Sequence, residues 1–141
     1  MEKEIKEFIL ECEIPGRCRS LKNNKRIIFI RGRSLIIPSQ AYEEWKEIAL
    51  QYLLIAKGKS KFGFPLPFPI HVQALAYYDK QPCDLDNILN SIAEVLQEAN
   101  VILNDNAILS YDGSRRFTCG RGKSNLILRV YRFMEETHGK T

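Results

Sequence analysis

Nine residues without a lysine, arginine or acid, Ile70 to Tyr78, run into Asp79-Lys80-Gln81-Pro82 and then into an acidic segment whose apolar residues switch to helical spacing. From Asn87 onward, Ile88, Leu89, Ile92, Val95, Leu96 and Ala99 form one stripe, with Leu85 just ahead of it and Glu94, Gln97 and Glu98 turned outward. A run that is strand-like throughout reads as central in a sheet. The chain therefore has to build a sheet and hand it over to a helix, and the hand-over falls at Pro82 and Asp84-Leu85-Asp86-Asn87.

The remaining segments fit around that pair. Phe8, Leu10, Cys12 and Ile14 alternate with Ile9, Glu11 and Glu13, the period of a half-buried strand, and Pro15-Gly16 ends it. Residues 26–31 and 34–37, with a turn at Gly32, predict a hairpin. Ser39 is a good N-cap for a helix whose Ala41, Trp45, Ile48, Ala49, Tyr52, Leu53 and Ala56 recur at helical spacing, with Lys57-Gly58-Lys59-Ser60 as its stop. Residues 62–69 hold three prolines and a glycine and read as an extended connector. Residues 101–103 predict a brief extended piece. Residues 107–111 and 125–133 predict the last strands, joined by a glycine-containing basic loop over 112–123, and the polar tail from 135 to 141 is expected to fray. With 141 residues and no repeat, the chain reads as a single α+β domain over 1–141. Its expected architecture is a mixed sheet of about four to five strands with two main helices.

An apolar fraction of 45% and a charged fraction of 27% are ordinary for a globular protein. No segment approaches the ~18–20 continuous apolar residues that cross a bilayer, so no membrane partner is expected. The opening MEKEIKEFILECEIPG mixes Glu and Lys through its apolar positions and is neither a signal nor a transit peptide, which makes the cytoplasm the expected compartment. Cys12, Cys18, Cys83 and Cys119 contain no C-x-x-C pair. Ordinary reduced cysteines in or near the core are expected over a zinc site assembled from scattered thiols with His71 and His138.

Lys and Arg outnumber Asp and Glu by 21 to 17, and the excess is clustered. Arg17, Arg19, Lys22, Lys25, Arg26, Arg31 and Arg33 lie between Pro15 and Arg33 with no acid among them. Arg115, Arg116, Arg121 and Lys123 follow Asp112. Taken singly, each cluster reads as a solvated basic loop. Two of them beside an acidic trio point toward phosphate.

The trio is Asp84, Asp86 and Asp105. In extended backbone, residues two apart point the same way. Inside a helix they diverge by roughly 200° at ~3.6 residues per turn. The pair is therefore expected just ahead of the helix, beside N–H groups that favour negative charge. Two or three carboxylates with a substrate phosphate suffice for Mg²⁺, which polarises a phosphate and activates water. The structural alternative is equally concrete: Asp86 as the N-cap, Asp84 in a turn, Asp105 in an Asn-Asp-Asn loop. Spacing alone leaves both open.

Asp84-Leu85-Asp86-Asn87, an apolar helix, and then Asn104-Asp105-Asn106-Ala107-Ile108 resemble the pattern of RusA-type Holliday-junction resolvases. The N-terminal half is similar too: a strand ending in Pro-Gly, the loop Ser20-Leu21-Lys22-Asn23-Asn24-Lys25-Arg26, an Arg-containing hairpin, and a helix with Tyr42 and Trp45. The likeness covers roughly residues 7–133 in matching order, and its acidic part is the specific portion. It implies a small α/β homodimer that binds four-way DNA junctions and makes paired nicks with Mg²⁺. It also implies Asp84, Asp86 and Asp105 as metal carboxylates, with Asn87 at the family asparagine. Lys22, Asn23 and Lys25 fall in the basic loop, which with Arg17, Arg19, Arg26, Lys80 and the second cluster makes the expected DNA face. Asn104 replaces the first acid of the family's Asp-Asp pair, and its oxygen still suits magnesium. Asn90 stands where the family has a lysine near the scissile phosphate, so Lys80 or a cation of the basic loops would have to take that place. A branched-DNA binder with weak or no cleavage is the alternative that Asn90 favours. A protein-interaction domain with incidental basic loops explains neither the acidic constellation nor the order of the motifs.

Overall fold

The computed structural model describes residues 5–20, 25–80 and 82–134. In chain order the elements are β1 (Ile5–Pro15), β2 (Lys25–Ile30), β3 (Arg33–Pro38), α1 (Gln40–Lys59), β4 (Ile70–Tyr78), α2 (Leu85–Glu98), a 3-10 turn (Asp105–Ala107), β5 (Ile108–Ser110), β6 (Arg115–Thr118) and β7 (Asn125–Met134). Two helices and a mixed sheet make an α+β domain, as the patterning implies. No helix among the described residues is long and apolar enough to cross a membrane.

The sheet runs β1-β7-β4-β5, with β6 also on β4. β4 is central, as its strand-like character throughout, with no Lys, Arg or acid, implies. β7 pairs with it antiparallel on one side, while β5 and then β6 run parallel to it along the other, β5 at its start and β6 over Leu75 to Tyr78. The parallel pairing follows from the β4-α2-β5 crossover, because parallel neighbours need a helix-length connection. Both helices cover one face of the sheet. Leu10, Cys12 and Ile14, Val72, Ala74 and Ala76, and Leu126, Leu128 and Val130 alternate onto it and meet Trp45, Ala49 and Leu53 of α1 and Ile88, Ile92 and Leu96 of α2 in one cluster. Burial of each large side chain there stabilises by about 1.5–3 kcal/mol.

Several expectations are revised. The alternation predicted for Phe8, Leu10, Cys12 and Ile14 holds only from Leu10 onward. A register shift between Phe8 and Leu10 inserts Ile9, so Ile9 and Leu10 are both buried and Phe8 is turned out. α1 begins where Ser39 predicts, its Oγ accepting the Tyr42 N–H at 3.1 Å, but it continues through Lys57–Gly58–Lys59 to a cap at Ser60. Lysines in a last turn suit the helix dipole and need not stop the helix. Lys57 also reaches across to the Ala99 carbonyl at 2.8 Å, tying the end of α1 to the end of α2. The basic loop over 112–123 contains a strand, β6, which four residues were too few to reveal by period. Residues 101–103 form no strand. Asn100, at φ +60, closes α2 in the left-handed conformation, with Asn100 N–H on Gln97 O and Val101 N–H on Leu96 O. That closure buries Val101 and Ile102 instead. The fraying tail lies outside the described residues.

β2 and β3 form a ribbon of their own, closed by Arg31 and Gly32 with positive φ values of 50° and 76°. Two left-handed residues in a two-residue loop are what the twist of a hairpin demands.

Candidate functional site

α2 starts two residues earlier than its apolar stripe suggests. Asp84 is the N-cap in extended conformation, and Asp86 lies inside the first turn. The expectation that both carboxylates sit in extended chain on the same side is therefore replaced by a cap-and-first-turn arrangement. Leu85 drives the change, because including it in the helix half-buries it at the end of the stripe. An N-cap aspartate ordinarily accepts a first-turn N–H through its side chain. Asp84 makes no such bond; its carbonyl alone takes the Ile88 N–H at 3.1 Å. Its carboxylate is exposed and uncommitted among the described residues. Asp86 uses Oδ1 to accept the Asn87 N–H at 2.9 Å, which leaves its other oxygen outward. Asn87 itself is buried, and its side-chain Oδ1 has no hydrogen-bond partner among the described residues.

The sheet delivers cations to this end of α2. β6 lies against the second half of β4, and Arg116 reaches from it to donate to the Cys83 carbonyl at 3.0 Å, one residue from Asp84. The turn beyond β6, which carries exposed Arg121 and Lys123, is fixed by Asp79. That carboxylate accepts the Gly122 N–H at 2.8 Å and the Ser124 hydroxyl at 3.0 Å. These donors, Gly122 first, hold Asp79 below the usual carboxylate range. Arg115 instead lies over Phe117, 5.2 Å from its ring centre, and Phe117 stacks on Tyr77 at 4.7 Å.

Part of the first basic cluster comes to the same place. Tyr78, buried at the end of β4, donates to the Cys18 carbonyl at 3.0 Å, and the Arg17 guanidinium covers its ring at 5.4 Å. Burial drives the Tyr78 hydroxyl well above its ordinary value, and the neighbouring thiols of Cys18 and Cys83 add to the rise. Cys18 is raised by burial first and by the neighbouring Cys83 thiol second, so Cys18, Tyr78 and Cys83 form one knot, with Cys83 next to Asp84 in sequence. The four cysteines are all free thiols. Arg19 is half-buried on the same segment and Lys80 is exposed after β4, whereas Arg31 and Arg33 lie on the separate β2–β3 ribbon. Lys22 and Asn23 lie outside the described residues, as do the side chains of Lys25 and Arg26.

Asp105 opens the 3-10 turn, capped by Asn104 Oδ1 accepting the Asn106 N–H at 2.9 Å. It lines a groove along α2 with Asn90, Ala93, Glu94, Gln97 and Glu98. Among the described residues, no three Asp, Glu, His or Cys side chains gather as a set of metal ligands, so the structure does not bring Asp84, Asp86 and Asp105 together as a ready cage. It does place Asn90 in the same groove as Asp105. Asp79, the Cys18–Tyr78–Cys83 knot and the Cys83 carbonyl are site-shaping features that motif reading missed. An aspartate at the end of a central strand was the available signal for the first; the others depend on contacts 33 to 60 residues apart.

The donor set suits a hard cation in a reduced form. Mg²⁺ binds through one or two carboxylates plus substrate phosphates. Asp84 and Asp86 offer exposed oxygens for that. No protein-family model matches the chain, and no curated protein matches its sequence.

Proposed function

We propose that this chain is a Mg²⁺-dependent endonuclease of branched DNA, acting as a homodimer that resolves four-way junctions by paired nicks in recombination and repair, as the RusA-type resemblance implies. The observation that carries the reading is the Arg116 contact to Cys83: it holds a cation of the second basic cluster one residue from the uncommitted carboxylate of Asp84. A polyanion cleaved by a metal needs that juxtaposition, with positive charge to hold the phosphate and oxygen donors to hold the ion.

In this reading Asp84 and Asp86 hold the ion at the mouth of α2, and Arg116, with Arg17, Arg19, Lys80, Arg121 and Lys123 around it, neutralises the flanking phosphates. Bound Mg²⁺ would supply Lewis-acid polarisation of the scissile phosphate and an activated water. Asp79 contributes by fixing the turn that carries Arg121 and Lys123, so those cations are presented without further ordering. Asp105 and Asn90 stand along the flank of α2, where the strand leaving the site would pass.

A second reading, a branched-DNA binder with weak or no cleavage, is favoured by Asn90 in the position of the family lysine and by the distribution of the three aspartates. A labelled four-way junction and a matched linear duplex, each incubated with Mg²⁺ or EDTA, separate the two. Paired nicks in the junction that require Mg²⁺ support the nuclease. Tight junction binding without nicks at any Mg²⁺ concentration supports the binder, and equal affinity for junction and duplex defeats both.

A further inference from the structure

Both helices cover one face of the five-stranded sheet, and the alternate residues of the same strands build the other. Ala74, Ala76 and Tyr78 of β4 point into the core, so Leu75 and Tyr77 point out on the open face. β6 runs parallel to β4 with Arg115 beside Leu75, Arg116 beside Ala76 and Phe117 beside Tyr77. Arg116 therefore stands on the helix side, where it meets the Cys83 carbonyl, while Arg115 and Phe117 stand on the open side. One edge strand serves both faces, and the two environments are a single residue apart.

On the open side these side chains form a stack. The rings of Tyr77 and Phe117 lie 4.7 Å apart at 14°, which is face-to-face packing, and the Arg115 guanidinium lies over Phe117 at 5.2 Å. Tyr77 takes one face of the Phe117 ring, which leaves the other to the guanidinium. Both rings are half-buried, whereas Arg115 is exposed and has no ion pair or side-chain hydrogen bond among the described residues. Charge around the stack suits a polyanion. Residues 113–134 hold six cations and no carboxylate, and Arg121 and Lys123 are exposed on the turn that follows β6. The acids of this face are committed: Arg129 donates to Glu11, Asn125 donates to Glu13 at 2.6 Å, and Asp79 holds the turn at Gly122. Asp112 stands at the other end of β6, in a hollow that it lines with Phe133.

We propose that Arg115, laid on Phe117 and Tyr77, binds an unpaired nucleobase. A base of the strand that leaves the duplex at the branch point stacks on the guanidinium, and its flanking phosphates meet Arg121 and Lys123. Stacking on aromatic rings and guanidinium planes tolerates any sequence but needs a base freed from its duplex neighbours, so it favours branched over linear DNA. The juxtaposition with Arg116 puts this subsite across the β6 edge from the mouth of α2. The proposal rests on the branched-DNA reading for its substrate and not on the metal chemistry.

The test titrates the full chain in EDTA, at several salt concentrations, on a four-way junction, its single strands and a matched duplex. Arg115→Lys keeps the charge and loses the plane. It should weaken junction and single-strand binding by about five- to tenfold, the low end of what one stacked base contributes. The salt slope should stay unchanged, and duplex affinity should stay within about twofold. Arg115 is exposed, so the fold should survive, which circular dichroism checks. Phe117→Leu keeps apolar bulk but removes the ring under the guanidinium, and should show the same selective loss on a smaller scale. An Arg115→Lys variant that binds the junction as the wild type does overturns the proposal and leaves Arg115 a phosphate contact. A loss that is equal on all the DNAs overturns it too, as does a wild type without affinity for single strands. A selective loss in a protein that never cuts a junction would keep this subsite and remove the nuclease reading. Mg²⁺-dependent nicking by the wild type, with unchanged binding in Arg115→Lys, would remove this subsite alone.

Discussion

The two ends of α2 both carry carboxylates, and they differ in what those carboxylates are doing. Toward the C-terminal end, Glu94 accepts the hydroxyl of buried Tyr42 at 2.5 Å, and Lys46 bridges Glu94 and Glu98 at 3.7 and 2.8 Å. Those acids join α2 to α1. At the N-terminal end, Asp84 forgoes its capping bond and Asp86 keeps one oxygen outward. Similar residue types on one helix thus serve as mortar at one end and as open ligands at the other. Charge counts do not distinguish them; the state of their oxygens does.

The largest effect that tests this contrast is on cleavage. Asp84→Asn and Asp86→Asn should each lower the rate of junction nicking by more than the roughly 10–100-fold that loss of a supporting contact around a metal causes. Junction binding should persist, or tighten as repulsion of phosphate falls. Glu98→Gln, at the other end, should leave cleavage within about twofold, since its ion pair with Lys46 is exposed and structural. Asp105→Asn sharpens the comparison. Loss of cleavage there would mean that substrate and metal draw the groove beside Asn90 into the site, whereas a wild-type rate would confine the site to the mouth of the helix. Full activity in both Asp84→Asn and Asp86→Asn would erase the distinction between the two ends.

Next in size is stability, where the sensitive end is the other one. Tyr42 is fully buried and its hydroxyl is aimed at a charged oxygen, which together with burial raises it well above the ordinary phenol value. Tyr42→Phe should destabilise by about 1–2 kcal/mol, the worth of a hydrogen bond to a charged group discounted for the partial exposure of Glu94. Asp84→Asn should be nearly neutral, because asparagine caps as well as aspartate. Urea unfolding of the two variants reads the difference directly. Equal losses would mean that Asp84 is structural after all.

How far this was legible in the sequence depends on the range of the interaction. Ile70 to Tyr78 announced a central strand and Ser39 a helix start, because both signals are local: apolar character over consecutive residues and a hydroxyl one residue before the helix. The start of α2 was misplaced because two rules competed over Asp84 and Asp86, turn chemistry at Pro82 and burial of Leu85, and only the packed core decides between them. The alternation at Phe8 failed for a comparable reason, since a single bulge residue inverts a period of two. Arg116 was legible as a basic residue but not as the neighbour of Asp84. Their proximity is a product of β6 adding in parallel to β4, and a four-residue strand has no period to read. Arg31 and Arg33, which look like part of the same phosphate-binding cluster as Arg17, belong to a two-stranded sheet of their own.

The contrast extends to DNA affinity. Arg116 should contribute one phosphate contact, so Arg116→Ala should reduce the slope of log affinity against log salt by about 0.9 on B-form DNA. Arg33→Ala should leave the slope unchanged, because Arg33 lies on the separate β2–β3 sheet and not on the sheet that brings Arg116 to Cys83. Titration of a four-way junction at several salt concentrations measures both. The reverse outcome, with Arg33 on the slope and Arg116 off it, would move the DNA face to the ribbon.

The smallest effect concerns Asn90, exposed one turn after Asp86 and sharing a groove with Asp105. A lysine at this position would stand between the open carboxylates and the groove, where its ammonium can meet a phosphate oxygen as charge develops on it. It would also lie four residues before Glu94, a spacing at which opposite charges on a helix attract. Glu94 is already held by Tyr42 and Lys46, so the new ammonium should remain largely available to the substrate. Asn90→Lys is therefore expected to raise the nicking rate several-fold, with junction affinity changed by less than the rate, since one exposed charge adds only about one phosphate contact. Single-turnover cleavage beside a binding titration on the same junction separates the two quantities. An unchanged or lower rate would mean that Arg116 or Lys80 already supplies the cation at the scissile phosphate, and that the mouth of α2 is electrostatically complete without help from its flank.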